Sequence, residues 1–180
     1  MIKEQISLRK VRPDDSDLVL QWRNHPETRK HSFQRDLVSA EEHRRWFSKK
    51  LKDPKTAIYI VQDAQGRPVG QVRIDRAPDH WGEVSISISH RAKGKGIGTE
   101  ALKKTVSRCR QHSDLKGLVA HIMPDNTPSM LAFLKAGFVL KKIEQVRKNP
   151  CCRLESLCRK DPTTGARRPQ LIKKEGVGYV

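Results

Sequence analysis

Gly94, Gly96 and Gly98 sit at alternate positions in the run Lys93–Thr99, after an alternating stretch, Glu83–Ser89, and before a helical periodicity. Glycines spaced this way let the backbone approach a ligand and turn its N–H groups toward it, and the positive end of the following helix adds to the same field. The chemistry implied is the binding of phosphates. Spacing excludes two common phosphate loops. No Gly-x-x-x-x-Gly-Lys-Ser/Thr occurs, and Gly94-x-Gly96 meets Thr99 where a dinucleotide fingerprint requires its third glycine. What remains is basic-x-x-Gly-x-Gly, read as Lys93-x-x-Gly96-x-Gly98 or one frame earlier as Arg91-x-x-Gly94-x-Gly96.

The strand before the loop carries Glu83, Ser85, Ser87 and Ser89 on one face and Val84, Ile86 and Ile88 on the other. A strand between helical segments is ordinarily buried on both faces, so a polar face reads as the wall of a cleft, with a wet edge strand as the alternative.

The elements that position these groups follow from pattern and punctuation. Ile6–Val11 alternates as a first strand, and Pro13-Asp14-Asp15-Ser16 caps a helix bearing Leu18, Val19, Leu20 and Trp22 that fades at Asn24-His25-Pro26. Ser39 and Glu42 form a capping box for a second helix with Trp46, Phe47 and Leu51 on its buried side. Ala57–Asp63 and Pro68–Asp75 flank a turn at Gly66, and the Glu83–Ser89 strand completes a set of three. A helix from Gly98 to His112, a strand Leu118–Ile122, a helix over 127–136 capped by Asn126 and stopped by Gly137, and strands Phe138–Ile143 and Leu154–Leu157 finish the order. The expected fold is mixed α/β, one central sheet flanked by helices.

Asn126-x-x-Ser129, leading to Leu134-Lys135-Ala136-Gly137-Phe138, together with the glycine loop, resembles the two signatures of the GNAT superfamily of acyl-CoA-dependent N-acetyltransferases. The resemblance covers about residues 5–158 and implies the GNAT acyltransferase fold with acetyl-CoA as co-substrate. It implies that Ser87, Ile88 and Ser89 meet the pantetheine arm and that Lys93, Gly94, Lys95, Gly96, Ile97, Gly98 and Thr99 take the pyrophosphate. The same resemblance implies that Asn126 and Ser129 would face the thiol half. Lys93 replaces the family's usual Gln or Arg, which a phosphate tolerates. Phe133 stands where many members keep a tyrosine that protonates the leaving thiolate, so that acid is missing.

Acetyl transfer to an amine needs a base, and Glu83, at the head of the polar strand face, is the first candidate. His90, His121 and Asp75 stand behind it. Trp22-Arg23-Asn24 with Arg29, then Glu41-Glu42-His43 with Trp46-Phe47, resembles the acceptor side of family members that acetylate UDP-linked 4-amino sugars in pseudaminic acid biosynthesis. Trp22 would stack on a ring, Arg23 or Arg29 would hold a diphosphate, and Asn24 would complete the site. Similar segments occur in acetyltransferases of polyamines and of ribosomal-protein N-termini, which stay open as alternatives.

At 180 residues the chain suits one domain, expected over 1–159 with a basic tail over 160–180. Thirty-seven Lys and Arg against 20 Asp and Glu leave a net charge of +17, which implies anionic partners. A non-catalytic acyl-CoA or RNA-associated module is the competing class, but only Tyr179 among the aromatics lies beyond Phe138, which disfavours nucleic acid. Cys109, Cys151, Cys152 and Cys158 lack a C-x-x-C pair and read as reduced thiols in a cytoplasmic protein without a metal site. No export or membrane span is indicated, and a homodimer is admitted.

Overall fold

The structure is a computed structural model and describes residues 5–112 and 114–158. The expected tail, 160–180, lies outside the described residues. Strand β1 (Ser7–Lys10) leads through a 3-10 turn at Pro13–Asp15 into α1 (Ser16–Asn24), α2 (Pro26–Lys30) and α3 (Ala40–Lys52). Three antiparallel strands follow, β2 (Thr56–Gln62), β3 (Pro68–Arg76) and β4 (Trp81–Ile88). Then come α4 (Ile97–His112), β5 (Gly117–Ile122), α5 (Thr127–Lys135), β6 (Val139–Val146) and β7 (Asn149–Leu157). They form one seven-stranded mixed sheet, ordered β1-β2-β3-β4-β5-β7-β6. Only β4 and β5 pair in parallel, so their connection must cross the sheet, and α4 is that crossover.

Alternation along the strands sorts two cores. On one face Val61, Val72, Ile74 and Val84 meet Ala101, Leu102, Val106 and Cys109 of α4, with Phe133 of α5 and Phe138 behind it. On the other, Ile60 meets Val19 and Trp22 of α1 and Phe47 of α3. The capping box forms as expected: Glu42 N–H donates to Ser39 Oγ at 3.2 Å and Ser39 N–H to Glu42 Oε2 at 3.0 Å. Among the described residues no helix is long and apolar enough to cross a membrane.

The departures are local. Pro26 does not end the helical region but opens α2, because its fixed φ and missing N–H suit a first helical position, with His25 as the N-cap. Strands β6 and β7 run longer than expected and form one hairpin. Its turn uses Arg147 and Lys148 at φ +51° and +64°. That conformation normally advertises itself with Asn-Gly, so an Arg-Lys turn leaves no signal.

Candidate functional site

The central strands part company. β3 pairs with β4 as far as Ile88, whereas the β4–β5 ladder holds only Trp81–Glu83 against Gly117–Val119 and then stops. From Val84 to Ile88, every second N–H and C=O of β4 therefore points into a wedge with no strand to receive it. The wedge opens at the C-terminal ends of two parallel strands, which α4 and α5 each follow. The N-termini of both helices, which pack on one another, thus lie at its mouth.

At that mouth a 3-10 turn, His90–Ala92, delivers the chain to the glycine loop. Gly94 and Gly96 both adopt φ +78°, and a Cβ at either would meet nothing within 4 Å. The loop is thus a left-handed turn facing open space, with Lys93 and Lys95 exposed beside it and Ile97 buried as its anchor. Gly98 is different, since a Cβ there would touch Ile88 Cγ1 at 3.5 Å. On the far wall, Asn126 Oδ1 accepts from Ser129 N–H at 3.2 Å, so this pair caps α5. Within the wedge strand, Ser87 Oγ is buried with no hydrogen-bond partner, as is Oε1 of Gln71, its register partner on β3. Buried polar atoms left over in this way fit a strand that receives a ligand.

Glu83 occupies the last rung before the wedge opens, and its side chain is 55% exposed. His121 Nδ1 lies 3.2 Å from Glu83 Oε1, and His121 Nε2 lies 3.1 Å from Glu144 Oε1 on β6. Glu144 is also paired with Lys142 at 2.6 Å and with Arg153 at 3.7 Å, and the Lys142 hydrogen bond, opposed by burial, holds its carboxyl below the usual carboxylate range. Sequence reasoning missed Glu144. The signal was available in the alternation of Lys142 and Glu144 on β6 with Arg153 and Glu155 on β7, but only once β6 and β7 are taken as one hairpin with Lys142 opposite Arg153 and Glu144 opposite Cys151.

Several expected roles need correction. Asp75 is not free to act as a base: it is bound by Lys50, Arg73 and Thr56 at 2.7, 2.7 and 2.9 Å. Burial alone would raise its pKa, but these partners outweigh burial and hold it low. His90 stacks on His25 at 5.0 Å. Trp22 is 6% exposed and belongs to the core, so its ring is not presented to a ligand. Asn24 spends both ends of its amide on the Val38 backbone, at 2.8 and 3.0 Å, and pins the segment between α2 and α3. Phe133 is 2% exposed and packs edge-on against Phe138, so its ring is part of the core.

Arg23 and Arg29 behave otherwise. One N–H group of each donates to a backbone carbonyl, of Gln34 at 2.6 Å and of Arg35 at 3.0 Å, while Arg23 NH1 and Arg29 Nε are buried without an acceptor. Burial, then the charge of Arg29, lowers the pKa of Arg23. The two cations therefore lie close together, with the charge of Asp36 opposing the shift. The His25–His90 stack ties this region to the end of β4, and a 3.8 Å approach of His31 Nδ1 to Asp125 ties it to the end of β5. The arginines thus stand in the segment that spans the mouth of the wedge.

A sheet with two central parallel strands that splay beside a glycine loop at a helix N-terminus is the acyl-CoA N-acyltransferase architecture. Residues 5–139 match the model of the acetyltransferase (GNAT) domain, and the chain belongs to that family. YwnH of Bacillus subtilis, named as a phosphinothricin acetyltransferase, is 28% identical over 56% of this chain, which spans 63% of that relative's length. An uncharacterized N-acetyltransferase, p20 of Bacillus licheniformis, is 26% identical over 76% of this chain and 83% of its own. Among solved structures, spermidine N-acetyltransferase of Vibrio cholerae with CoA and spermine superposes with a TM-score of 0.77 at 20% identity, covering 85% of this chain and 95% of that one. Aminoglycoside acetyltransferase AAC(6')-Ib with coenzyme A gives 0.75 at 16% identity over 85% and 95%.

Proposed function

We propose that this chain transfers the acetyl group of acetyl-CoA to a primary amine carried by an anionic acceptor, the 4-amino group of a UDP-linked sugar being the class favoured. The carrying observation is the pair Arg23 and Arg29, which leave N–H groups without an acceptor beside the segment that His25 and His31 tie to the ends of β4 and β5. A diphosphate oxygen supplies the acceptors they lack, in charge-assisted bonds each worth roughly 1.5–3 kcal/mol.

The cofactor reading rests on the wedge. With its pyrophosphate on Lys93–Thr99, acetyl-CoA lays its arm back along β4, using the N–H and C=O groups that β5 leaves unpaired. From Val84 to Ser89 that path is roughly 17 Å at ~3.3 Å per residue, comparable to an extended pantetheine arm. The thioester then lies near Glu83, the last paired rung. Glu83 takes a proton from the acceptor ammonium, the amine attacks the thioester carbon, and the C–S bond breaks as the tetrahedral adduct collapses. With Phe133 in the core, the thiolate takes its proton from water or another side chain.

A second reading is favoured by the carboxylates Glu83, Glu144 and Glu155, which share one sheet face and suit a polyamine. Thiol release from acetyl-CoA across UDP-4-amino sugars, phosphinothricin, spermidine and ribosomal-protein N-terminal peptides separates the two. The expected result is fastest turnover with an anionic acceptor, whose KM alone rises in Arg29→Ala. Spermidine or a peptide turning over fastest overturns the anionic acceptor and leaves acetyl transfer standing.

A further inference from the structure

His121 faces a carboxylate at each of its ring nitrogens, at 3.2 and 3.1 Å. An ionised carboxylate can only accept, and a neutral imidazole has one N–H to give, so the neutral ring fills one of the two contacts. The imidazolium formed when the unit takes up a proton fills both. We infer that Glu83, His121 and Glu144 form a single acid–base unit, in which His121 is a positioning residue that stores the proton Glu83 removes from the acceptor. Its place in the reaction rests on the acetyl-transfer reading above, while its proton-holding rests on geometry alone.

The surroundings suit that task. His121 is 13% exposed and Glu144 22%, so the bonds are only partly open to water, whereas Glu83, on the last rung before the wedge, is 55% exposed. The groups facing His121 are Glu83 from β4, Glu144 and Lys142 from β6, and Arg153, Glu155 and Cys151 from β7, with Asp75 beyond Glu83 on β3. Lys142 and Arg153 bind Glu144, and Arg153 also binds Glu155 at 2.8 Å. The bases nearest the ring are thereby left as the two carboxylates. Cys151 registers the same negative field: burial first, then Glu144, Cys152 and Glu83 raise its thiol pKa.

The proton count closes. Acetylating an ammonium forms one N–C bond, breaks one C–S bond and removes two protons from nitrogen. One ends on the thiol and the other must reach solvent. The unit accepts that second proton at Glu83, passes it to Nδ1 to give an imidazolium held between two carboxylates, and yields it to water once the product has left.

The test begins without any acceptor. Ring 15N NMR of the whole protein, with His121 assigned by its loss in His121→Gln, is expected to show two ring N–H groups in the protonated unit, both hydrogen-bonded. In Glu144→Gln the extra proton is lost at lower pH than in the wild type, because one of the two anions holding it is gone. Then, with any acceptor that turns over, His121→Gln lowers kcat about tenfold or more, Glu144→Gln moves the acid limb of kcat to lower pH, and KM for acetyl-CoA stays within about twofold in both. A merely structural histidine leaves the acid limb in place. The inference is overturned if the proton leaves His121 at the same pH in Glu144→Gln, or if the pH profiles of both variants coincide with the wild type. A failure to acetylate any amine overturns the proposed function, and the NMR result still decides the proton-sharing unit.

Discussion

Glu83 draws its interest from position. It is the last residue of β4 paired to β5, so the sheet holds its backbone on both sides while its side chain projects at the point where the strands separate. If it removes the acceptor's proton, Glu83→Gln keeps the shape and removes the base. The expected outcome is a fall in kcat of roughly 10²-fold, about 2.7 kcal/mol, with the Kd for acetyl-CoA unchanged by calorimetry. Turnover near wild type would place the base elsewhere, and Asp75 is already committed to Lys50 and Arg73. Alternation in Glu83–Ser89 made this strand and its polar face readable from sequence. The fate of single side chains was less so, because Trp22, Asn24 and Phe133 look alike in sequence whether they line a cleft or fill a core. What decides is the neighbours the fold brings them: Phe47 and Ile60 for Trp22, the Val38 backbone for Asn24, and Phe138 for Phe133.

At the scale of elements, the loop and the helix pair each carry a prediction. Gly96 has φ +78°, which a β-branched residue adopts only at a cost of about 1–2 kcal/mol, and the open space beside it is where a ligand would lie. Gly96→Val is therefore expected to raise the Kd for acetyl-CoA at least tenfold, about 1.4 kcal/mol. Gly98→Ala makes an informative companion: its Cβ meets Ile88 at an ordinary 3.5 Å and its backbone is not left-handed, so a milder effect is expected. Equal losses in the two would show that crowding, not loop conformation, governs binding. Between α1 and α3, His43 is 2% exposed, with Nε2 2.9 Å from the Ser16 carbonyl and its ring on Phe47. Burial lowers its pKa, against a smaller opposing effect of the Ser16 hydrogen bond. A depressed histidine binds fewer protons folded than unfolded below its unfolded value of about 6.5, so stability falls as pH drops through the interval beneath that value and levels off below the folded pKa. A declining Tm from pH 7 toward 5.5 is expected, and His43→Phe should flatten that part of the curve.

The order of the elements was legible because the connections are short and the punctuation strong: Ser39 with Glu42, Gly66, Asn126 and Gly137 each stop or start an element where expected. The β6–β7 hairpin was not, since its turn strains Arg147 and Lys148 into φ values that sequence gives no reason to expect, and with it went Glu144. Composition added a property of no single residue, the net charge of +17. Acetyl-CoA is strongly anionic, so the protein's field should gather it toward the loop and speed encounter. Exposed charges interact over about 10 Å at 0.1 M salt and about 3 Å at 1 M. The association rate for acetyl-CoA, followed by stopped flow, is thus expected to fall severalfold between about 0.05 and 0.5 M salt, while dissociation changes less. The deficit of Gly96→Val relative to wild type should persist across that range, because it arises from backbone geometry at contact distance. A deficit that vanished in high salt would mean that the loop acts through the charges of Lys93 and Lys95 alone, and an association rate indifferent to salt would leave the +17 without a part in cofactor capture.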